Sequence, residues 1–328
     1  MTKPHSDSST KSVEGTQCPE TKQHYDDVAV LIPCYNEEIT VAKVVVDFKT
    51  SLPGARVLVF DNNSSDRTAL FAKNAGATVL HAPLQGKGNV VRQMFDQVDS
   101  SVYVMVDGDD TYPASAAPQL VTEFRKSGVD MVVGARVVSF EEDSFRRFHK
   151  LGNRLVAGLV SKLFSTRVTD ILSGYRVLSR SYVKTVPLMS QGFEVETEMT
   201  LQALAKNFVI KEIPIQYGPR PEGSYSKLST FSDGFLVLKS IFIIFKDFKP
   251  LVFFLLLSML LFVITILAGI PPILDYLETR WVYHVPLAIL ATGAGILSAL
   301  SLSIGVILHT ISKYHNENFE MMRRLLNK

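Results

Sequence analysis

Val102-Tyr103-Val104-Met105-Val106-Asp107-Gly108-Asp109-Asp110-Thr111 is an apolar, strand-favouring run that passes directly into a turn of three carboxylates and one glycine. A short apolar run bounded by turn residues marks a buried strand. Carboxylates gathered at a strand end repel one another. A hard divalent cation is one reason to place them there, because Mg2+ or Mn2+ takes few carboxylates together with phosphate oxygens. In an extended segment Asp107 and Asp109 point to the same side, and Gly108 leaves the backbone accessible. An acidic turn capping the next helix is the other reading of the same residues.

The pattern recurs on either side of this stretch. Val28–Cys34, Arg56–Asp61 and Ala77–Ala82 upstream, and Asp130–Ala135 downstream, read as strands. Amphipathic stretches near Glu37–Ser51, Asp66–Ala75, Gly88–Val98 and Ala114–Lys126 read as helices. This alternation predicts an α/β fold, a mostly parallel Rossmann-like sheet covered on both faces. Such sheets bind ligands at the carboxyl ends of their strands. Those ends carry Pro33-Cys34-Tyr35-Asn36-Glu37-Glu38 and Asp61-Asn62-Asn63-Ser64-Ser65-Asp66, polar turns entering helices, where Ser64 to Asp66 also suits an N-cap. Gly86-Lys87-Gly88 offers backbone N–H groups and one ammonium to a phosphate, although it is neither a Walker A loop nor a GxGxxG fingerprint.

The 34 basic and 32 acidic side chains give a net charge of +2, a balance that argues against a nucleic-acid partner. Cys18 and Cys34 make neither a disulfide framework nor a CxxC metal site. Residues 1–26 are polar and aperiodic and read as a disordered tail without a secretory h-region. The expected body spans 27–227. Phe231–Phe248 is apolar but interrupted by Asp233, Lys239, Lys246 and Asp247, so 228–249 reads as amphipathic helices lying at the membrane interface. Leu251–Ile270 and Val285–Leu308 are uncharged and long enough to cross a bilayer, giving expected spans at 250–272 and 285–309. The segment between them, 273–284, holds Asp275, Glu278 and Arg280. Lys239, Lys246 and Lys249, then Lys313, Arg323, Arg324 and Lys328, flank the opposite side, which puts the body, both termini and a 310–328 tail in the cytoplasm.

Taken as an ordered set, LIPCYNEE (31–38), VFDNNSSDRT (59–68), QGKGNVVRQ (85–93) and VDGDDTYP (106–113) resemble glycosyltransferase family 2, with its GT-A nucleotide-binding fold. VVGAR (132–136), DILSGYRVLSR (170–180), GFEVETEMTL (192–201), KEIPIQY (211–217) and RPEGSYSKLSTFSDGF (220–235) resemble its polyprenyl-phosphate branch. That branch includes dolichol-phosphate mannose and glucose synthases and undecaprenyl-phosphate glycosyltransferases. The resemblance spans roughly Val28 to Lys249 and continues through the helix pair. It implies a metal-dependent inverting transferase that moves one sugar from an NDP-sugar, UDP-glucose or GDP-mannose, to a polyprenyl phosphate. It also implies a homo-oligomer. A processive polysaccharide synthase shares the nucleotide half but uses a QxxRW motif and more spans, neither of which is present. A non-catalytic adaptor would have a broken DxD motif or a lost basic set.

Residue by residue, the resemblance assigns Pro33, Tyr35, Asn36, Glu37 and Asp61 to the nucleotide sugar, with Asp61 accepting from a base N–H and Glu37 reaching the ribose. Lys87 and Gly108 fall beside the nucleotide. Asp107 and Asp109 match the DxD motif that holds Mg2+ or Mn2+ on the diphosphate. Thr111 stands where many relatives have Gln. Arg136, Arg147, Ser173, Arg176, Arg220 and Lys227 match the acceptor-phosphate set, with Arg176 also assigned to catalysis. Arg146 competes with Arg147 for one position, and His149 replaces a Ser of the relatives. Ser173 also suits support of its turn, and Glu194, Glu196 and Glu198, on one helix, read as structural or as supports of the residues that line the site. Asp170 reads as orienting Arg176 or its turn, with a general base as the alternative.

Overall fold

The computed structural model describes residues 24–137, most of 157–221, 242–243 and 246–326. Residues 1–23, 138–156 and 222–241 lie outside the described part, and with them Cys18, Arg146, Arg147, His149, Lys227 and most of the expected interfacial helices.

Seven strands form one sheet: β1 Val28–Cys34, β2 Arg56–Asp61, β3 Thr78–His81, β4 Val102–Met105, β5 Met131–Val137, β6 Arg176–Ser179 and β7 Ile210–Gln216, in the order β3-β2-β1-β4-β6-β5-β7. Strands β1 to β4 are parallel, β6 runs antiparallel to β4 and β5, and β7 is parallel to β5. The expected strands are present, with β3 and β4 shorter than read. Hydrophobic pattern did not reveal β6 and β7. The first lies inside the SGYR segment, and the second has a Pro and two charges among its seven residues.

Alternation along each strand sends side chains to two cores. Val30, Ile32, Val59 and Val104 face α1 (Val41–Ser51), α2 (Thr68–Asn74) and α4 (Ala117–Ser127). Leu31, Phe60, Tyr103 and Met105 face α3 (Lys87–Gln97), α5 (Arg180–Thr185) and α6 (Val195–Ala205). Each fully buried Leu or Phe contributes about 1.5–3 kcal/mol, and this burial fixes the edge where β1, β2, β4 and β5 end. The body starts earlier than expected: Tyr25 is buried and its N–H donates to Pro53 O at 2.9 Å.

Two long helices follow. Helix α7, Pro250–Thr279, passes through Pro271 and Pro272, so the segment expected as a loop from 273 is helical to 279. Helix α8, Val285–Leu326, runs 42 residues without a break. Both are long and apolar enough to cross a membrane. Their most apolar windows are only 11% and 17% buried, unlike the core helices of a soluble domain. They are pinned together by Ser298, which donates to Ser258 O at 2.8 Å. The expected 310–328 tail is instead the continuation of α8 as far as Leu326. It docks on the body, where Phe319 meets the Phe208 ring, Lys206 lies 4.3 Å over Phe319, and Arg323 lies 4.4 Å over Phe208.

Candidate functional site

The strand register sets Cys34 opposite Asp61 and Asp61 opposite His81, so the polar turns converge at one edge. They are stitched by side chains. Asn36 takes a left-handed φ of 53°, which Asn tolerates better than most residues. Its N–H donates to Ser64 Oγ at 2.9 Å and its Oδ1 accepts from Ser65 N at 2.8 Å. Glu37 N donates to Thr68 Oγ1 at 2.8 Å. Asn62 donates to Ala82 O and Leu84 O and accepts from Gly86 N, fastening the next loop. Asn36 thus ties the two loops through its backbone N–H and its amide oxygen. Tyr35 stays exposed, Pro33 and Glu37 line the turn, and Asp61 is buried with Oδ1 lacking a hydrogen-bond partner among the described residues. A buried carboxylate oxygen left this way costs about 1–3 kcal/mol, and a ligand N–H would satisfy it.

Beyond β4 the chain packs too tightly for any residue but Gly at 108, where a Cβ would lie 2.6 Å from Cys34 Sγ. Thr40 Oγ1 donates to Gly108 O at 2.7 Å, holding this turn. Asp109 is buried. Its Oδ1 accepts from Thr111 Oγ1 at 2.6 Å and its Oδ2 pairs with Arg220 at 2.7 Å. Thr111 thus orients Asp109. Asp107 accepts from Lys87 Nζ at 2.5 Å, and a Cβ on Gly174 would strike its other oxygen at 2.5 Å. Lys87 also pairs with Glu196 on α6. Burial works against the Lys87 charge, but Asp107 and Glu196 outweigh it and raise the pKa above the ordinary lysine value. Gly86 N and Gly88 N donate to Asn62 Oδ1 and Gln191 O, so both glycine amides are spent inside the protein.

Among the described residues no cluster of three His, Cys, Asp or Glu side chains surrounds Asp107 and Asp109. Two carboxylates suit a cation that takes its remaining ligands from diphosphate and water.

Arg136 ends β5 in a fork: Nε donates to Asp170 Oδ2 and Nη2 to Asp170 Oδ1, both at 2.8 Å, while the guanidinium lies 5.5 Å from the Tyr217 ring centroid. Burial opposes the Asp170 charge, yet Arg136 holds the carboxyl below the usual aspartate range. Asp170 therefore orients Arg136 and not Arg176. Arg176 itself corrects the sequence-based expectation. It is fully buried and donates to Ser173 O, Ile171 O, Glu196 O and Thr200 Oγ1. Burial also lowers its pKa from the ordinary arginine value. Facing β4 in register with Met105, it ties the 171–173 turn to α6 with no surface exposed. Ser173 is likewise buried; its hydroxyl donates to Gly134 O at 2.6 Å, which leaves it supporting the turn.

The edge thus gathers Pro33, Tyr35, Asn36, Glu37, Asp61, Lys87, Asp107, Gly108, Asp109, Arg136 and Arg220, whereas Ser173 and Arg176 are buried in hydrogen bonds behind it. Glu196 supports the site through Lys87, a role within the sequence-based reading, whereas Tyr217 and Glu212 join the network without having been singled out. A side chain in or just after a strand carries no local signal of what it will meet across the sheet.

Residues 29–186 match the model of the family described as glycosyl transferase family 2. The glycosyltransferase AglJ of Haloferax volcanii is 34% identical over 230 residues, covering 70% of this chain and 75% of that protein. The dolichyl-phosphate hexose transferase of the same organism is 30% identical over 221 residues, covering 67% of this chain and 95% of that protein. The structure of Mycobacterium tuberculosis glucosyl-3-phosphoglycerate synthase in complex with Mn2+, UDP and glucosyl-3-phosphoglycerate superposes with a TM-score of 0.54 at 18% identity, covering 67% of this chain and 78% of that one, a likeness of fold. With the GT-A fold, the strand-end carboxylates and these relatives in agreement, the chain belongs to glycosyltransferase family 2, in the branch of the dolichyl-phosphate hexose transferase, and is a glycosyltransferase enzyme.

Proposed function

We propose that this enzyme transfers a single hexose from an NDP-sugar, UDP-glucose or GDP-mannose, to a polyprenyl phosphate at the cytoplasmic membrane face, with inversion and with Mg2+ or Mn2+. One observation carries the reading. Asp107 and Asp109 share a strand edge with Arg136 and Arg220, in a chain that also has two bilayer-length helices. Carboxylates for a cation on the donor diphosphate, next to guanidinium groups for a second anion, are what joining two phosphate-bearing substrates demands.

In this reading Asp61 accepts a nucleobase N–H, Glu37 reaches the ribose, and Lys87 stands beside the donor phosphates. Asp107 and Asp109 would hold the bound cation, whose chemistry is to neutralise the leaving diphosphate. Arg136 and Arg220 hold the acceptor. A phosphate monoester has its second ionisation near pH 6, so the nucleophile is already an anion at neutral pH and its oxygen displaces the diphosphate at the anomeric carbon. The helices keep enzyme and lipid in one plane, and the basic flanks, against the lone Arg280 between the helices, favour a cytoplasmic body.

The test combines purified enzyme, a polyprenyl phosphate in vesicles, Mn2+ or Mg2+, and a panel of radiolabelled NDP-sugars. Formation of one sugar-lipid, abolished by EDTA, is expected. Label appearing only in a polymer, or on no lipid with any donor, would sink the proposal.

A further inference from the structure

The turn before β6 is held from two sides. On one side the Glu212 carboxylate of β7 accepts from Thr169 N, Thr169 Oγ1 at 2.6 Å and Asp170 N at 3.1 Å. On the other, buried Arg176 donates to Ile171 O and Ser173 O. Between these anchors stands Asp170, whose side chain is only 7% exposed. Its two oxygens take the Nε and Nη2 donors of Arg136, and Oδ2 also takes the Arg136 backbone N–H at 3.0 Å. One face of the guanidinium lies against Tyr217, itself edge-on to Tyr112 at 5.1 Å between centroids. A guanidinium has five N–H donors in a rigid fork. Asp170 takes one edge, and the Nη1 edge has no acceptor among the described residues.

We propose that Asp170, braced by Glu212, is a positioning residue that aims the open Nη1 edge of Arg136 at the acceptor's phosphate. The assignment rests on the reading of the acceptor as a phosphate monoester. Three features support positioning over proton transfer. Asp170 already spends both oxygens on one cation. The contact is bidentate and includes the backbone, which fixes direction as well as charge. The brace from Glu212 reaches the Thr169–Asp170 segment and not the Arg136 guanidinium, as expected of a support for orientation.

The experiment is a double-mutant cycle on the full chain in detergent, with Asp170→Asn, Arg136→Ala and the double variant, and Glu212→Gln as a milder perturbation from outside the site. Three quantities are read: the melting temperature, the affinity for geranyl phosphate by calorimetry, and steady-state KM and kcat for donor and acceptor. Asp170→Asn is expected to weaken geranyl phosphate binding and raise the acceptor KM about tenfold, with donor KM and kcat within about threefold of wild type. Glu212→Gln should do the same about two- to fivefold. In the Arg136→Ala background Asp170→Asn should add little to the loss of phosphate affinity, since the guanidinium it aims is gone. Multiplying effects, or a collapse of kcat at unchanged phosphate affinity, would overturn the proposal and make Asp170 a base. Coupling seen in melting temperature but not in phosphate affinity would overturn it too, leaving a purely structural pair. If the cycle couples in phosphate binding while wild type glycosylates no isoprenyl phosphate, the proposed function fails and the positioning role stands.

Discussion

Arg176 offers the sharpest test, because the motif reading and the structure assign it different roles. Replace it by Met, which fills much of the same space without a donor. Ile171 O and Ser173 O lose the guanidinium, whereas Glu196 O keeps the Thr200 hydroxyl at 3.2 Å. Two buried carbonyls stranded at about 1–3 kcal/mol each, with a further contribution from imperfect filling of the site, come to about 3–6 kcal/mol. For a body of this size each kcal/mol shifts the melting temperature by about 2–4 °C, so a fall on the order of 10 °C is expected. The assay is a thermal melt of detergent-purified wild type and Arg176→Met, followed by kinetics well below both transitions. There the surviving folded enzyme should raise its acceptor KM no more than loss of the turn's other anchor, Glu212, does, about two- to fivefold. A variant that melts within 2 °C of wild type but needs at least tenfold more lipid phosphate would refute this reasoning and return Arg176 to the acceptor site.

Asp109→Asn should lower kcat by about 10²–10³, the usual loss when one electrostatic contact to the transition state is removed, while circular dichroism stays that of wild type; initial rates with Mn2+ check it. Arg220→Gln should tighten Mn2+ binding in the absence of nucleotide several-fold, because the guanidinium 2.7 Å from Asp109 Oδ2 opposes a second cation there; electron paramagnetic resonance titration reads the free ion, and weaker binding would contradict the expectation. The folded pKa of Asp170 lies below its ordinary value, so the Asp170–Arg136 pair stabilises the protein fully above about pH 4 and loses that contribution as pH falls through the folded value. Denaturant midpoints of wild type and Asp170→Asn should therefore converge on acidification below pH 4; a gap that widens would show the opposite sign.

Much of this site was legible because its residues sit where local rules put them. Asp107 and Asp109 follow an apolar strand, and the carboxyl ends of parallel strands are where ligands bind. The turns 33–38 and 61–66 could be placed on the same edge without knowing any contact. The basic residues were harder. Arg136, Arg176 and Arg220 look alike as letters in motifs, and their difference lies in what packs on them. Arg176 starts an interior antiparallel strand beneath α6, whereas Arg136 ends a strand next to the open edge.

The apolar periodicities alone determined the alternating α/β body, the places of its first five strands along the chain and the two long apolar helices, because burial on two faces and the thickness of a bilayer constrain any chain with that pattern. Tertiary structure decided the rest. The antiparallel β6, inserted between β4 and β5, carries Arg176 into the core and brings Gly174 against Asp107. The same packing joins Lys87 to Glu196, Asp170 to Arg136, and the end of α8 to Phe208. Each of these pairs is distant in sequence, and a charged side chain reports its partner only when the fold has removed water from around it.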